Sequence, residues 1–132
     1  MEAINVETHA THAIATGEMP AALAVDGDRN ELYVANYAGA SVSIIDARAG
    51  TTIATLNVGG HPQAIAVDTA KRLLYVADAQ ENSVSIIDIQ SHRVLEKLTL
   101  DGPPYALSVD SKTHRAFAAT IGSTPYTELK IH

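Results

Sequence analysis

The feature that most constrains the fold of this chain is a stretch that it contains twice. Residues 32–46 read LYVANYAGASVSIID, and residues 74–88 read LYVADAQENSVSIID, a displacement of 42 residues. The same interval separates Pro20, Pro62 and Pro104, and also Asp26, Asp68 and Asp110. Aligned without a gap, 17–58 and 59–100 are identical at 17 of 42 positions. A period of this length is typical of repeat architectures, in which each repeat is one supersecondary unit.

Each unit contains four short runs rich in Val, Ile, Tyr and Thr, separated by turns that contain Gly, Asp, Asn or Pro. In the first unit these runs are AALAV, ELYVAN, SVSIID and TTIATLNV. Such runs indicate β-strands, and four strands in about 40–45 residues are typical of one β-propeller blade. We therefore predict an all-β fold of four-stranded antiparallel blades, about three per chain, as part of a larger ring.

The predicted domain is a single partial propeller that begins and ends inside a blade. It divides into a blade part at 1–16, blades at 17–58 and 59–100, and a blade part at 101–132. The N-terminal part resembles the end of a third strand followed by a fourth. The C-terminal part supplies a first and a second strand, and the alternation of Thr127, Leu129 and Ile131 suggests a third.

The two ends read as complementary parts of one blade, and this bears on how the ring closes. Propellers typically have four to eight blades, so a ring of about three is not expected. The chain is either a piece of a longer propeller or a subunit that pairs with another copy. We favour the second interpretation, a dimer of six blades closed by exchange of terminal strands, since closure removes exposed sheet edges.

LYVAN followed by SVSIID, and then by a VGG-HP turn, resembles the YVTN family of β-propeller repeats. The resemblance covers residues 17–120. The sequence lacks the Trp-Asp and Gly-His signatures of WD40 repeats. Similar segments also occur in the seven-bladed lactonase-like propellers. The first resemblance implies a binding or scaffold propeller, and the second implies a hydrolase.

Composition excludes several classes of function. The absence of cysteine excludes disulfides and thiolate chemistry, and a net charge of −6 argues against binding to a nucleic-acid backbone. No apolar run is long enough to span a membrane, and the N-terminus does not read as a signal peptide. The compartment stays open: cytoplasmic if the chain is complete, periplasmic or at the cell surface if it is a mature piece.

The loops of a propeller lie on two opposite faces, and their charges differ here. We call upper loops those that join a fourth strand to a first or a second to a third: 17–20, 36–41, 59–62, 78–83, 101–104 and 120–125. They contain no Lys or Arg, whereas the opposite, lower loops contain seven of the nine basic residues. The upper loops also diverge most between repeats. We therefore expect a protein or small-molecule ligand there, at these residues: Glu18, Tyr37, His61, Asp78, Gln80, Glu81 and Asp101.

No catalytic residue, cofactor or metal site is predicted. None of the six histidines recurs at 42 residues, so we do not expect them to be scaffold residues of the repeat. His9 and His12 form an H-x-x-H pair without a third ligand, and His61 in the GGHP turn is the best single candidate for a metal ligand or base. No nucleophile elbow or phosphate-binding loop is present.

Three functions are therefore weighed. The first is a non-catalytic binding or scaffold module that closes a ring by self-association. The others are a lactonase-like hydrolase and an accessory domain of an exported redox protein.

Overall fold

A computed structural model describes residues 1–121 and 126–129, of which residues 126 and 127 are described by their backbone only. The described residues form thirteen β-strands and no helix, so no helix among them could cross a membrane. The strands form four antiparallel sheets that follow one another along the chain. The prediction of an all-β fold built from four-stranded antiparallel sheets is confirmed.

The sheets consist of the following strands. The N-terminal hairpin contains β1 (Glu2–Ile4) and β2 (Thr11–Ala13). Blade 1 contains β3 (Pro20–Asp26), β4 (Glu31–Asn36), β5 (Ser41–Asp46) and β6 (Thr51–Asn57). Blade 2 contains β7 (Pro62–Asp68), β8 (Leu73–Asp78), β9 (Ser83–Asp88) and β10 (Arg93–Thr99). Blade 3 contains β11 (Pro104–Asp110), β12 (Arg115–Thr120) and β13 (Tyr126–Leu129). Ile131, one of the residues that predicted this last strand, lies outside the described residues.

Aspartates at the ends of strands close the lower turns. Asp26 Oδ1 accepts the backbone N–H groups of Asp28 and Arg29 at 3.1 and 3.2 Å. Asp68 and Asp110 bind the backbone of their own turns in the same way. A carboxylate bonded to N–H groups two and three residues ahead stabilises a tight reversal. The 42-residue recurrence of these aspartates thus reflects the same turn in each blade.

Each lower turn ends on a residue in the left-handed region, and histidines occupy three of these positions. His114 has φ 59°, as do its repeat equivalents Asn30 at 54° and Arg72 at 57°. His92 and His9 have φ 59° and 60°, at the place that Gly50 takes in blade 1. Asn, Gly and His tolerate this conformation better than most residues. The expectation that no histidine is a scaffold residue is therefore wrong, because the backbone conformation recurs although the residue type does not.

Burial follows the position of each strand in its blade. The second and third strands (β4, β5, β8 and β9) are buried on both faces, whereas the outer strands β6 and β10 are mostly exposed. Of the first strands, β7 is mostly buried, but β3 and β11 are exposed at many positions. Among the described residues, blade 2 has a neighbour on each side, while blades 1 and 3 each have one face without a neighbouring four-stranded blade.

Neighbouring blades join through two unlike faces. The forward face of a blade offers an aromatic ring and small side chains, such as Tyr33 and Ala35 in blade 1. The rear face of the next blade packs aliphatic side chains against them, Ile65 and Leu74 in blade 2. Blades 2 and 3 repeat this arrangement, with Leu107 on the rear face of blade 3. Burial of these apolar side chains holds the blades together.

The N-terminal hairpin covers part of the rear face of blade 1. Ala3 and Met1 pack against a small buried cluster of Ile14, Val34 and Ile45. The hairpin therefore stands where the outer half of a preceding blade would stand. The inner half of the same face, at β3, stays exposed.

Candidate functional site

An aromatic pair joins the upper loops of blades 1 and 2. The rings of Tyr37 and His61 stack with centroids 4.6 Å apart and an angle of 16° between their planes. His61 Nδ1 lies 3.2 Å from the backbone carbonyl oxygen of Tyr37. A carbonyl oxygen only accepts hydrogen bonds, so the Nδ1–H of His61 is the donor in this contact. Two of the seven predicted site residues are thus in direct contact.

Asp78 holds this part of the upper surface in shape. Its side chain is buried, and Oδ2 accepts the backbone N–H of His61 at 2.9 Å. Oδ1 accepts the backbone N–H groups of Gln80 and Glu81 at 2.9 and 3.0 Å. Because its oxygens are engaged by backbone groups, Asp78 orients the loop that carries His61 rather than facing solvent as a ligand. The structure gives Asp78 a positioning role, and its predicted contact with a ligand stays a prediction.

Gly60 makes the contact between Asp78 and the His61 loop possible. Its φ is +54°, and a Cβ on this residue would lie 1.6 Å from Asp78 Oδ2. A side chain at position 60 cannot be accommodated without moving the carboxylate away from the His61 N–H. This glycine was not among the predicted site residues, although the GGHP stretch contains it.

In blade 1 the position equivalent to Asp78 is Asn36, and its side chain turns the other way. Asn36 is fully buried, and Nδ2 donates to the hydroxyl oxygens of Ser41 and Ser43 at 3.1 and 2.9 Å. The loop after Asn36 is instead held by the backbone, with Tyr37 N donating to Met19 O at 2.8 Å. The two upper loops are thus held in different ways, although the strands that flank them are nearly identical.

The charge of the upper surface is less acidic than the loop composition predicts. Glu81 forms an ion pair with Lys97, which lies on the outer strand β10 and not in a loop. Glu18 and Asp101 are exposed, as is Gln80. The carboxylate of Asp78 is buried, as described above. Counting loop residues missed Lys97, since its position in the sequence belongs to a strand.

Metal-ligating residue types do not cluster at the described part of this surface. Among residues 1–121 and 126–129, no group of three or more His, Asp and Glu side chains could hold a metal ion. His9 lies in a turn and not on a strand with His12, which pairs with Ala3 in the hairpin. The described surface around His61 combines an aromatic pair, exposed carboxylates and backbone groups, a combination suited to contacts with a partner molecule.

A second polar cluster, on the lower side, clamps blades 1 and 2 and was not predicted. Arg72 Nη1 lies 3.6 Å from Oδ2 of the buried Asp26 and donates to Glu31 Oε2 at 3.1 Å. The Tyr33 hydroxyl donates to the same Glu31 oxygen at 2.5 Å. Burial, the hydrogen bond to Glu31 and the nearby negative charge raise the pKa of Tyr33 above its ordinary value. Blades 2 and 3 are clamped by His114, whose Nδ1 lies 2.8 Å from Asp68 Oδ2.

The contacts of Arg72 and His114 could have been predicted from a separation in the sequence. Arg72 and His114 each lie 46 residues after the aspartate that they contact. Both occupy the left-handed turn position defined above. This separation is four residues longer than the repeat of 42. A cationic or histidine side chain that recurs at this distance from an aspartate indicates a contact between neighbouring blades.

Comparison with known proteins supports the fold. A family model described as YNCE-like beta-propeller matches residues 2–115. No curated protein matches the chain in sequence. The solved structure of Kuenenia stuttgartiensis hydrazine synthase is similar with a TM-score of 0.74 and 27% identity, over 83% of this chain and 31% of that one.

A second solved structure agrees. The beta-propeller domain of Myceliophteria thermophila Cps50 (Swd1) is similar with a TM-score of 0.69 and 15% identity, over 89% of this chain and 40% of that one. The chain thus spans less than half the length of either structure. The predicted fold, a partial propeller of about three blades, is confirmed, and so is the resemblance to YVTN-type propellers.

Proposed function

This chain belongs to the YNCE-like β-propeller family, and from that premise we propose that it is a non-catalytic binding module. It closes a ring with a second copy and binds a protein partner with a basic surface through its upper loops. The observation that carries the proposal is the Tyr37–His61 stack, which spans two blades at the place where the upper loops diverge. Loops that vary on a rigid scaffold are where propellers acquire specificity.

The chemistry of the surface supports a basic partner. Glu18 and Asp101 are exposed on the upper loops, and the rings of Tyr37 and His61 offer flat faces for Arg and Lys side chains. Guanidinium groups stack on aromatic faces and pair with carboxylates. The negative net charge of the chain favours the approach of such a partner.

Binding of a hexa-arginine peptide, followed by fluorescence anisotropy at low and physiological salt, tests this proposal. We expect Glu18→Gln and Asp101→Asn each to weaken binding by about 1.4- to fivefold, as exposed ion pairs contribute about 0.2–1 kcal/mol. Asp28→Asn, on a lower loop, is the matched control and should bind like the wild type. Equal weakening by all three variants, or equal binding of hexa-glutamate, would refute a specific upper site. Hydrolysis of a gluconolactone by the purified chain would refute the non-catalytic role.

Self-association is supported by the distribution of exposed apolar side chains. Leu23 and Val25 on blade 1 are 52% and 51% exposed, and Tyr105 on blade 3 is 54% exposed. Exposed apolar patches of this kind mark interaction surfaces. Native mass spectrometry is expected to give twice the chain mass of 13.9 kDa, and a monomer at micromolar concentration would contradict ring closure by two copies.

A second candidate is a propeller segment inside a larger enzyme. It is favoured by the similarity to a hydrazine synthase chain, of which this chain covers 31%. An immunoblot of the source cells distinguishes the two. A single band near 13.9 kDa supports the self-associating module, whereas a much larger band supports the second candidate.

A further inference from the structure

The two blade interfaces inside the chain show what a blade requires of its neighbour. On the forward side, Tyr33 and Tyr75 stand at equivalent positions in blades 1 and 2. On the rear side, Ile65 and Leu107 are equivalent first-strand residues that pack against them. The interface is therefore a repeated pairing of one aromatic-and-alanine surface with one aliphatic strand.

Within residues 1–121 and 126–129, one copy of each surface is left uncovered. The forward face of blade 3 has an open cavity of about 310 Å³, and the lining residues whose side chains face forward are Ala106, Ser108, Phe117 and Ala119. Phe117 stands at the position of Tyr33 and Tyr75. The rear face of blade 1 exposes Leu23, the equivalent of Ile65, beside a cavity of about 170 Å³ that Met1 also lines. These two surfaces therefore carry the same kinds of side chain at the same repeat positions as the two sides of a blade interface within the chain.

The N-terminal hairpin has an uncovered side of its own. Ile4 and Val6 are 65% and 84% exposed, whereas their equivalents in blade 2, Ile87 and Ile89, are 1% and 2% exposed. The equivalence follows from the turn: Asn5 Oδ1 accepts backbone N–H groups two and three residues ahead, as Asp88 does. Ile87 and Ile89 pack against blade 1, whereas no blade of the described residues packs against Ile4 and Val6.

Strand β1 corresponds to the same place in a blade as β13. Ala116 on β12 pairs with Leu129, as Leu74 pairs with Ile87 in blade 2. Leu129 and Ile4 are therefore both equivalents of Ile87, and only one strand can lie beside β12. A blade with both strands would contain one strand too many.

Strands β1 and β13 differ in the residue whose side chain lies on the forward face. Glu128 of β13 stands where Ile86 stands in blade 2, and it pairs with the exposed Arg115. A rear face docked there would bury a carboxylate, which is unfavourable. The equivalent residue of β1 is Ala3, which already packs on the rear face of blade 1. With β1 beside β12, the forward face could pack against a further blade. With β13 there, the carboxylate of Glu128 favours a face that stays exposed to solvent.

We propose that a second copy of this chain completes blade 3 with its β1–β2 hairpin, and that β1 displaces β13 from the edge of β12. Done reciprocally, the exchange gives two composite blades and, with blades 1 and 2 of each copy, a closed ring of six. Ile4 and Val6 of each copy are then buried against blade 2 of the other. Leu23 of each copy enters the cavity of the other copy's blade 3. This inference rests on the proposed self-association and adds its strand arrangement.

The lower clamp supplies a further contact in the same arrangement. Asp26 meets Arg72 of the next blade, and Asp68 meets His114. By the same rule Asp110 meets Asn30 of the second copy, since Asn30 has the backbone conformation of Arg72 and His114. An asparagine in this position forms a weaker clamp than an arginine, because it carries no charge.

Engineered disulfides test the exchange directly, since the chain contains no cysteine. Residues directly opposite in antiparallel strands have Cα atoms about 4.5–5.5 Å apart, within the range that a disulfide spans. The variant Ala116→Cys/Ile4→Cys is expected to give a covalent dimer on oxidation, seen on non-reducing gels and reversed by dithiothreitol. Ala116→Cys/Leu129→Cys is the matched control and reports the unexchanged strand as a crosslink within one chain.

The outcomes separate this inference from the proposed function. A covalent dimer from the Ile4 variant supports exchange. A native dimer that crosslinks only through Leu129 overturns the exchange and leaves self-association standing. A wild-type monomer overturns both, and a ladder of larger crosslinked species overturns the closed ring.

A variant that dimerises more tightly gives an independent check, because misfolding would not be expected to lower the dimer dissociation constant. Asn30→Arg places the Arg72 side chain at the composite interface, and we expect the dimer dissociation constant to fall by about two- to tenfold. Gln90→Arg, on a lower loop away from the interface, is the control for added positive charge. Leu23→Asp should give a folded monomer, because Leu23 is half exposed within one chain. Equal affinity for Asn30→Arg and Gln90→Arg would overturn the docking register.

Discussion

The Tyr37–His61 stack allows a double-mutant cycle that isolates one contact. Tyr37→Ala removes the ring but keeps the backbone carbonyl that accepts the His61 Nδ1–H. His61→Ala removes both the ring and the hydrogen bond. The coupling free energy between the two substitutions therefore reports the ring contact alone.

The geometry sets the expected size of this coupling. The centroid separation of 4.6 Å lies in the range in which aromatic pairs contribute about 0.5–1.5 kcal/mol beyond area burial. Both residues are only half buried, so we expect the lower half of that range, about 0.5–1 kcal/mol. The stack joins two blades, so the coupling measures part of the force that holds blades 1 and 2 in register at the upper surface.

Equilibrium unfolding in urea, followed by circular dichroism at one fixed protein concentration, measures the four free energies of unfolding. Tyr37→Ala combined with His92→Ala is the control cycle, because His92 lies in a lower turn on the opposite side. A coupling below about 0.3 kcal/mol for Tyr37 and His61 would match the scatter of independent sites and refute the reasoning.

Two further predictions concern turns. Gly60→Ala should lower the free energy of unfolding by more than about 1–2 kcal/mol, the cost of left-handed backbone, because its Cβ would also displace Asp78. Gly27→Ala, whose Cβ would meet no atom within 4 Å, should be nearly neutral in the same urea titration, and equal losses would contradict this explanation. Hydrogen bonds from the backbone N–H of Ser91 and then of Gln90 lower the pKa of Asp88. A carboxyl whose folded pKa is depressed contributes stability above its unfolded pKa of about 3.9 and loses it as pH falls through the folded value. Asp88→Asn keeps the acceptor without the titration, so its urea midpoint should fall less than that of the wild type between pH 6 and pH 3.

Much of the fold could be predicted from the sequence because a repeat states each structural requirement more than once. Asp26, Asp68 and Asp110 recur at one interval, and a residue that recurs at a turn signals local hydrogen bonding within a few residues. Strand identity and blade length follow from such local signals. The failure with His92 and His114 shows the limit of matching residue types, since the repeat conserves a backbone conformation that several residue types can adopt.

The candidate site was less predictable because its contacts cross between blades. The sequence placed Tyr37 and His61 on one surface, but their stacking depends on the angle between blades 1 and 2. It predicted Asp78 as a ligand-binding residue of the upper loops, whereas in the fold that buried carboxylate accepts the backbone N–H of His61. Lys97 reaches Glu81 from a neighbouring strand, and strand neighbours on the same face are known only once the register is known.

The sequence by itself determined the blade, because period, strand pattern and turn residues are local properties that 42 residues suffice to specify. The tertiary structure decided which apolar surfaces are buried against a neighbouring blade and which stay exposed. Leu23 and Ile65 are equivalent in sequence, yet one is 52% exposed and the other 8%, because only one of them has a neighbouring blade. Burial is a relation between elements, and so is the correspondence of β1 with β13.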